Sequence, residues 1–369
     1  MSDTLSIFSG IGGLDLGARL AGLEIGLSVD SDEKALQLLN QALGHPVLEG
    51  RIEQLNPDEV IERAQLQRGQ GYLIGGPPCT PFSHAGFWLR RKREGLDADV
   101  ARVFDYLSYV RHLRPAAFVM ENVPGLLFKN YKSIFDAIVA RAEELRYKVS
   151  YAVLNTAEFG VPQNRRRLIV VGVRSRKPFR FPRGLFLDGN SRTAGWAFED
   201  LTDVTNRPED DEQLCGRYSS LLPLVPPGEN YLHFTSKKGY SPALFKWRSR
   251  YWSFLLKLHP ERPSPTIPAT RVTNNGPFHW ENRHLRIREL ARLQGFPDDY
   301  PLPEIVLARR YIGNAVPPLF AAEVIWALRV FLGEVRETER PPALAAAANF
   351  EASAEEVSRA ISNVLTIGG

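Results

Sequence analysis

The first half of the chain alternates short apolar runs with longer amphipathic stretches. The runs TLSIF, EIGLSVD, GYLIGG and AAFVMENV have the length and composition of strands, and KVSYAVLN and RRLIVVGV continue the series. Between them, apolar residues recur at helical spacing, as at Val103, Phe104, Leu107 and Val110. Strand alternating with helix over roughly the first 170 residues predicts an α/β fold with a doubly wound, mostly parallel sheet.

The rest of the pattern predicts four regions. Residues 1–180 would form the sheet domain, and residues 181–285, rich in Trp and basic side chains, a smaller irregular domain. Residues 286–336 would return the chain to the sheet, with a helix in VPPLFAAEVIWALRVFLG that begins at prolines. Residues 337–369 are predicted to be a linker, RPPALAAAANF, and a short amphipathic helix. We expect that helix to dock on its own domain, with binding of a partner as the alternative.

Composition restricts the class of protein further. The chain has 369 residues, of which 44% are hydrophobic and 24% charged, as in soluble globular proteins. Its two cysteines, Cys79 and Cys215, lie far apart, which indicates a reduced cytoplasm and gives no metal-ligand spacing. The N-terminus lacks the features of a secretory signal, and no run is expected to reach membrane-spanning length. We therefore expect a cytoplasmic protein that uses neither a metal nor a membrane.

Basic residues are concentrated in two stretches, although the net charge is only +4. Residues 162–183 contain eight Lys or Arg and no carboxylate. Residues 231–259 contain six Lys or Arg and eight aromatic residues, again without a carboxylate. A solvated face is the usual explanation of such stretches, but aromatic residues among the cations favour nucleic-acid binding. For residues 231–259 the alternative is a small aromatic core with solvated lysines.

Four features with chemical potential follow predicted strands: the Gly10–Gly13 loop, Asp30, Cys79 and Glu121. In open α/β sheets, ligands bind in the crevice outside the carboxyl ends of the strands. Because all four features fall at that edge, the sequence predicts one site there. The two prolines before Cys79 then stiffen a loop of this site.

Each feature also has a simpler explanation. The glycine-rich loop suits a nucleotide-like ligand, but tight turns need glycine as well. Asp30 lies where dinucleotide-type folds bind ribose hydroxyls, or it shares helix capping with Ser31 and Asp32. Cys79 could be a small buried hydrophobe, although its Gly-Gly-Pro-Pro lead-in favours a reactive thiol. Glu121 would need a partner at the end of a buried strand, for a structural hydrogen bond or for catalysis.

Six motifs, in order along the chain, resemble those of the cytosine-C5 DNA methyltransferase family: FSGIGG, GGPPCTPFS, MENV, QNRRRL, RELARLQGFP and GNAVPP. The resemblance covers most of the chain. It implies a Rossmann-like methyltransferase sheet with residues 181–285 as the target-recognition domain. It also implies methyl transfer from S-adenosyl-L-methionine to carbon 5 of a cytosine flipped out of duplex DNA.

The resemblance assigns roles by position. Cys79 would add to carbon 6 of the cytosine as a thiolate and leave once a base has removed the carbon-5 proton. Glu121 would hold N3 and the exocyclic amine, and the Pro78 carbonyl would accept from that amine. Arg165 and Arg167 would contact the base or its phosphate and counter negative charge. The implied catalytic residues are thus Cys79, Glu121, Arg165 and Arg167.

Three further sets follow from the same resemblance. The implied cofactor-binding residues are Phe8, Gly10, Ile11, Gly12, Gly13, Asp30, Ser31, Ile52, Pro78 and Asn314. The implied base-binding residues are Pro78 and Asn122. The DNA-binding residues are expected to be Ser83, Arg166, Lys237, Lys238, Arg248 and Arg250. For the run of three arginines, plain phosphate binding is the simpler reading, and it suits Arg166.

The sequence departs from the family pattern beside the expected cofactor. Arg51 stands where an Asp usually accepts from the adenine amine, and Asp99 and Arg102 replace a typical Arg and Leu. An arginine cannot accept a hydrogen bond. Either Glu49 substitutes for the missing acceptor, or packing against Ile52 holds the adenine.

Two alternatives to a DNA enzyme stay open at this point. A cytosine methyltransferase acting on RNA could share every motif, because the pocket chemistry does not read the 2′-hydroxyl. A catalytically silent DNA-binding homologue could share the fold. Intact Cys79, Glu121 and Arg165 favour the DNA enzyme. We expect it to act as a monomer on double-stranded DNA at a prokaryotic nucleoid, with a cognate restriction endonuclease as genetic partner.

Overall fold

The computed structural model describes residues 3–78, 96–186, 189–208, 212–270 and 272–365, with only the backbone of 96–99. Cys79 and Ser83, both singled out from the sequence, lie outside these residues. So does the side chain of Asp99.

Seven strands form one sheet in the order β3-β2-β1-β4-β5-β8-β6. Neighbouring strands from β3 to β5 are parallel, whereas β8 lies antiparallel between β5 and β6. The mostly parallel α/β sheet predicted from the sequence is therefore confirmed. The strands are β1 (Thr4–Ile7), β2 (Ile25–Asp30), β3 (Val47–Glu49), β4 (Tyr72–Gly75), β5 (Ala117–Asn122), β6 (Lys148–Asn155) and β8 (Arg166–Val173), with β7 (Gln163–Asn164) paired to β9 (Ser264–Pro265).

Helices pack on both faces of the sheet. Successive strand residues enter different cores: Val119 lies in the core beneath α1 and α9, and Met120 in the core beneath α4 and α5. The helices are α1 (Gly13–Leu20), α2 (Glu33–Leu43), α3 (Pro57–Arg63), α4 (Leu96–Leu113), α5 (Lys132–Glu144), α6 (Ala194–Phe198), α7 (Ile287–Gln294), α8 (Ile305–Asn314), α9 (Pro318–Leu332), α10 (Pro342–Ala348) and α11 (Ala354–Ser362).

The returning helix α9 packs directly on α1, the first helix after the glycine-rich loop. A Cβ atom at Gly17 would lie 2.5 Å from Cβ of Ala321 and 2.8 Å from the Pro318 carbonyl oxygen. A Cβ atom at Gly13 would also clash with the Val316 carbonyl. These two glycines therefore permit the close packing of α9 on α1.

The stretch Ile305–Leu332, which includes α8 and α9, is long and apolar enough to cross a membrane. This finding differs from the sequence-based expectation that no apolar run would be long enough to span a membrane. However, 67% of its most apolar window is buried inside the protein, as in the core helix of a soluble fold.

The segment predicted to be a linker contains α10 instead. Pro342 occupies its first turn, and Ala343, Leu344 and Ala347 are buried. Proline at the first helical position followed by alanines favours a helix, a signal that the linker interpretation overlooked. The final helix α11 docks on its own chain as expected, since Val357 is buried.

In the described part of residues 181–285, regular structure is limited to α6, short 3₁₀ turns and β9. This agrees with the irregular character predicted for the region. The boundaries of the predicted domains stay predictions.

Candidate functional site

The glycine-rich loop runs from β1 to α1 and is held against the end of β2. The Gly10 N–H donates to Oδ2 of Asp30 at 2.8 Å, and the Asp32 N–H donates to Oδ1 of Asp30 at 2.9 Å. Burial raises the pKa of Asp30. Gly10 has φ +52° and no atom within 4 Å of the place a Cβ would occupy. The loop therefore offers open space next to a fixed carboxylate.

Asp32, and not Asp30, caps helix α2. Its Oδ1 accepts from the Ala35 N–H at 3.2 Å, as an N-cap does. Two residues of α8 also bind it: the Tyr311 hydroxyl at 2.9 Å and the Arg310 guanidinium at 2.8 Å. Asp30 accepts from the backbone N–H groups of Gly10, Ser31 and Asp32. Because Asp32 fills the capping role, the remaining acceptor capacity of Asp30 is available to a ligand.

The return segment braces the loop from its other side. The Tyr300 hydroxyl donates to the Ile11 carbonyl, a contact that the local sequence did not reveal. Phe8, at the end of β1, has φ +57°, which is uncommon for a bulky residue and typical of functional sites. Asn314 ends α8 with its side chain exposed, and Ser31 is exposed as well.

A buried polar cluster supports the loop from below. Asp15 of α1 accepts from the Ser6 and Ser28 hydroxyls, and His45 Nε2 lies 2.7 Å from the Ser28 hydroxyl. Complete burial raises the pKa of Asp15 to about 6, and burial lowers that of His45 to about 4. At neutral pH the imidazole is therefore neutral and acts through hydrogen bonds.

Arg102, one of the departures from the family pattern, ties α4 to the turn that carries Ile52. It forms ion pairs with Glu53 of that turn and, at 3.1 Å, with Asp105. Ile52 begins the turn and is 4% exposed, whereas Arg51 before it is exposed. The charge at Arg102 thus positions the segment expected to meet the adenine.

The end of β5 carries the two polar residues Glu121 and Asn122. Glu121 is 9% exposed, and Arg167 Nε lies 2.7 Å from its Oε1. The buried Asn122 amide donates to the Pro77 carbonyl at 3.2 Å, and its Oδ1 accepts from the Val123 N–H. Asn122 therefore fixes the proline segment that leads to Cys79 beside the Glu121 carboxylate.

The three consecutive arginines point to different places. Arg167 reaches Glu121, and Arg166 is exposed. Arg165 is 1% exposed, and its Nη2 donates to the carbonyls of Gly313 at 2.7 Å and Ala315 at 3.3 Å. The structure thus brings Arg167, and not Arg165, to the Glu121 carboxylate.

Two buried amides that sequence reasoning missed lie beside Arg165. Gln163 donates to the Leu293 carbonyl at 3.0 Å and to Oε1 of Gln294 at 2.6 Å. Gln294 in turn donates to the Ala315 carbonyl at 2.5 Å. These contacts join the arginine motif to the return segment, and each spans more than 20 positions of sequence, so no local pattern could reveal them.

The aromatic residues of 231–259 divide into two groups. Tyr231, Phe234 and Phe254 are buried in a small core with Phe245 packed against them, which agrees with the simpler alternative. Tyr251 is 63% exposed and Trp252 is 60% exposed. Only the exposed pair, together with the partly exposed Trp247, is placed to meet a ligand.

The four predicted DNA-binding cations of this stretch also differ. Lys237 Nζ lies 5.0 Å from the centre of the Trp247 ring, and Lys238 pairs with Glu229 at 3.0 Å. The Arg250 guanidinium donates to the Tyr218 hydroxyl at 3.4 Å. Arg248 is exposed and has φ +55°. Arg248 and Lys237 are therefore the more accessible charges.

Within the residues that the structure describes, no group of three or more His, Cys, Asp or Glu is arranged to hold a metal ion.

Comparison with known proteins gives consistent matches. The family model described as C-5 cytosine-specific DNA methylase matches residues 2–329. Type II methyltransferase M.SacI of Streptomyces achromogenes is 37% identical, over 89% of this chain and 93% of that protein. Type II methyltransferase M.NgoFVII of Neisseria gonorrhoeae is 33% identical, over 87% of this chain and 84% of that protein.

Two solved structures share the fold. One is described as a DNA modification methyltransferase encoded within an E. coli prophage, with TM-score 0.65, 22% identity and coverage of 90% of this chain and 100% of that chain. The other is the S. pombe Dnmt2 methyltransferase, with TM-score 0.56, 16% identity and coverage of 89% and 98%. At these identities the likeness shows the fold alone.

Proposed function

The chain belongs to the C-5 cytosine-specific DNA methylase family and is a DNA (cytosine-5-)-methyltransferase. From this premise we propose that it methylates carbon 5 of a flipped-out cytosine in a specific duplex sequence, through a covalent bond between Cys79 and carbon 6. The observation that carries the proposal is the Glu121–Arg167 pair at the end of β5, beside the proline segment that leads to Cys79.

The residues at the end of β5 and beside it have different roles toward the cytosine base. Arg167 occupies Oε1 of Glu121, and Oε2 lies beside Gly76. We assign Oε2 as the acceptor for the exocyclic amine of cytosine, and for N3 when that nitrogen is protonated in the intermediate. The Cys79 thiolate adds to carbon 6, and carbon 5 becomes nucleophilic and takes the methyl group from the sulfonium of the cofactor. A base then removes the carbon-5 proton, and the thiolate leaves as the ring double bond re-forms.

The cofactor site fits S-adenosyl-L-methionine. The open space at Gly10 suits close approach of the ligand to the backbone, Asp30 offers acceptor lone pairs to ribose hydroxyls, and Ile52 offers an apolar surface to the adenine. When bound, the cofactor supplies the activated methyl group. The loop, braced by Tyr300, orients it.

Arg165 takes a different role in this proposal. Its guanidinium holds the carbonyls of Gly313 and Ala315, next to Asn314. It therefore positions the return segment against the arginine motif, and Arg167 acts at the base.

The names of the relatives support DNA as the substrate, and a direct test separates DNA from RNA. Tritiated S-adenosylmethionine is incubated with the protein and either unmethylated duplex DNA or transfer RNA. We expect label in DNA alone, and bisulfite sequencing then gives the methylated site. Label in transfer RNA alone would contradict the proposal, and cofactor binding without transfer would indicate a silent homologue.

We further propose that the enzyme acts as a monomer in the cytoplasm, at the nucleoid, beside a cognate restriction endonuclease. The Type II names of M.SacI and M.NgoFVII support the last point.

Arg51→Asp is expected to tighten S-adenosylmethionine binding by ~1 kcal/mol, because an aspartate restores an acceptor for the adenine amine. Isothermal titration calorimetry measures this directly. Arg63→Asp, an equal change of charge on the exposed side of α3, is the matched control. Unchanged binding in Arg51→Asp would mean that packing and the Arg102–Glu53 pair already hold the adenine turn.

Lys237→Ala and Arg248→Ala are expected to differ in kind. Loss of a phosphate contact at Lys237 should weaken binding to all duplexes similarly, with the salt slope reduced by about one. Loss of a base contact at Arg248 should relax preference at one flanking base pair, at ~1–3 kcal/mol.

Lys238→Ala is the comparison, since its ion pair with Glu229 should make its effect smaller. If all three lower affinity uniformly and the methylated sequence is unchanged, recognition lies elsewhere, in residues 184–230 or around RVTNNGPFHW.

A further inference from the structure

Three loops meet at the edge of the sheet opposite Glu121. In the register of three adjacent strands, Ala117 at the start of β5 pairs with Val173 at the end of β8, which pairs with Lys148 at the start of β6. Glu121 pairs with Ile169 at the other end of β5. At about 3.3 Å per residue, Ala117 and Glu121 lie roughly 13 Å apart along β5.

Seven exposed cations surround this edge, and we call them the basic edge: Arg111, Arg114, Arg146, Lys148, Arg174, Arg176 and Lys177. Arg174 Nη1 donates to the Arg114 carbonyl at 3.3 Å, which brings two of the loops together. Burial raises the pKa of Tyr147, and the guanidinium groups of Arg174 and Arg114 oppose that shift, so both lie near its ring. Three of the cations, Arg111, Arg114 and Arg146, line one groove, and Arg174 joins them through Arg114. The other three adjoin this group along the chain.

Carboxylates do not compensate this charge. Among the described residues, Glu144 lines the shallow groove between the ends of α4 and α5, but it pairs with Arg141 at 2.7 Å. None of the seven cations of the basic edge has an ion pair within the described part of the chain. Like charges that stay close without partners create a positive potential at this edge.

Helix dipoles explain only part of the cluster. Arg111, Arg114 and Arg146 lie at or just after the C-termini of α4 and α5, where cations are stabilising. No helix terminus accounts for the other four cations, because they lie at strand ends or beyond them. They are Lys148, Arg174, Arg176 and Lys177. Arg174, Arg176 and Lys177 also belong to the basic stretch 162–183, and the catalytic site does not use them.

We propose that the basic edge binds a second segment of duplex DNA, without sequence preference, while the catalytic edge holds the target cytosine. The proposal rests on the proposed function, because the DNA substrate is the polyanion that the protein must meet. Guanidinium and ammonium groups bind phosphates, and such contacts carry no sequence information. Because the two edges lie at opposite ends of the strands, we assign the basic edge to a second duplex and not to the one that holds the target cytosine. On long DNA, the second contact would retain the enzyme near its next site.

The test counts duplexes per protein. At low salt, analytical ultracentrifugation with a short target duplex and a labelled target-free duplex should show two duplexes on the wild-type protein. Arg176→Ala/Lys177→Ala should bind only the target duplex at the same concentrations. In the wild type the second site should show a dissociation constant near 10⁻⁴–10⁻⁶ M at physiological salt. The double variant should reduce the salt slope for target-free DNA by about two.

Arg336→Ala/Arg359→Ala is the matched control, since it removes two exposed arginines of the C-terminal segment and should still bind two duplexes. Arg114→Ala/Arg174→Ala should repeat the loss from the other loops. A wild type that binds one duplex, or an Arg176→Ala/Lys177→Ala variant that still binds two, would overturn the proposal. If the basic edge binds polyglutamate and not DNA, its ligand is an acidic protein, and the proposal is overturned as well.

Activity on short duplexes separates this inference from the proposed function. The Arg176→Ala/Lys177→Ala variant should methylate a short target duplex at the wild-type rate and lose efficiency only on plasmid-length DNA. No methylation by the wild type would refute the proposed function, whereas the duplex count tests the basic edge independently.

Discussion

Arg167→Ala is expected to lower kcat by about 10²–10³-fold, with little change in affinity for DNA. Arg167 Nε holds Oε1 of Glu121 at 2.7 Å, and both side chains are only 12% exposed. Without Arg167, the Glu121 carboxylate loses the ion pair that positions it, and in the proposed reaction the charge that develops on the base loses a cation. Single-turnover methylation of a short duplex measures the effect.

Arg166→Ala is the matched control, because Arg166 is the neighbouring arginine on β8 and is exposed. It should affect binding at most. Glu121→Gln should resemble Arg167→Ala, since the neutral amide cannot form the charged pair. Equal loss of rate in Arg166→Ala and Arg167→Ala would refute the assigned roles and favour plain phosphate binding by all three arginines.

Gly17→Ala is expected to destabilise the protein by about 3 kcal/mol. The new Cβ would lie 2.5 Å from Ala321 Cβ and 2.8 Å from the Pro318 carbonyl oxygen, so α9 must move away from α1. Alanine is the better helix former, which means that any loss arises from this clash. Urea denaturation gives the change in the free energy of unfolding.

Ala321→Gly supplies the rescue. In the double variant Gly17→Ala/Ala321→Gly, part of the lost stability should return, and the two changes should be strongly non-additive. A Gly17→Ala protein as stable as the wild type would mean that the contact between α1 and α9 adjusts freely.

The fold could be predicted from the sequence where local patterns decide it. Short β-rich runs such as AAFVMENV predicted strands, and their alternating residues do enter two cores, as Val119 and Met120 do. The antiparallel insertion of β8 between β5 and β6 could not be predicted, because a strand's own residues do not specify its neighbours. The helix α10 was missed because two prolines were interpreted as a linker when one of them begins the helix.

The sequence predicted which strand ends form the site. It predicted fewer of the contacts between the side chains at those ends. The structure brings Gly10 and Asp30 together at the end of β2, and Glu121 ends β5. Alternation along the strand separates Arg166 from its two neighbours but does not choose between Arg165 and Arg167. That choice depended on the fold, because Arg165 donates instead to carbonyls of the return segment. Tyr300 was missed, since its hydrogen bond to Ile11 joins residues 289 positions apart.

In the basic-aromatic stretch, residues 231–259, composition alone did not predict which aromatic side chains are buried. Its aromatic residues were expected either to meet DNA or to form a small core, and the structure buries Tyr231 and Phe234 while exposing Tyr251 and Trp252. Composition cannot separate the two groups, because burial depends on the partners Leu222 and Phe278 from outside the stretch.

The central claim, covalent catalysis by Cys79 beside Glu121 and Arg167, is tested most directly by trapping. Duplex DNA with 5-fluorocytosine at the target is incubated with the protein and S-adenosylmethionine, and the product is analysed by mass spectrometry. Because fluorine cannot leave as the carbon-5 proton does, we expect a stable DNA adduct on Cys79 that is absent from Cys79→Ala. Methylation of ordinary DNA by Cys79→Ala, or an adduct on another residue, would contradict the account.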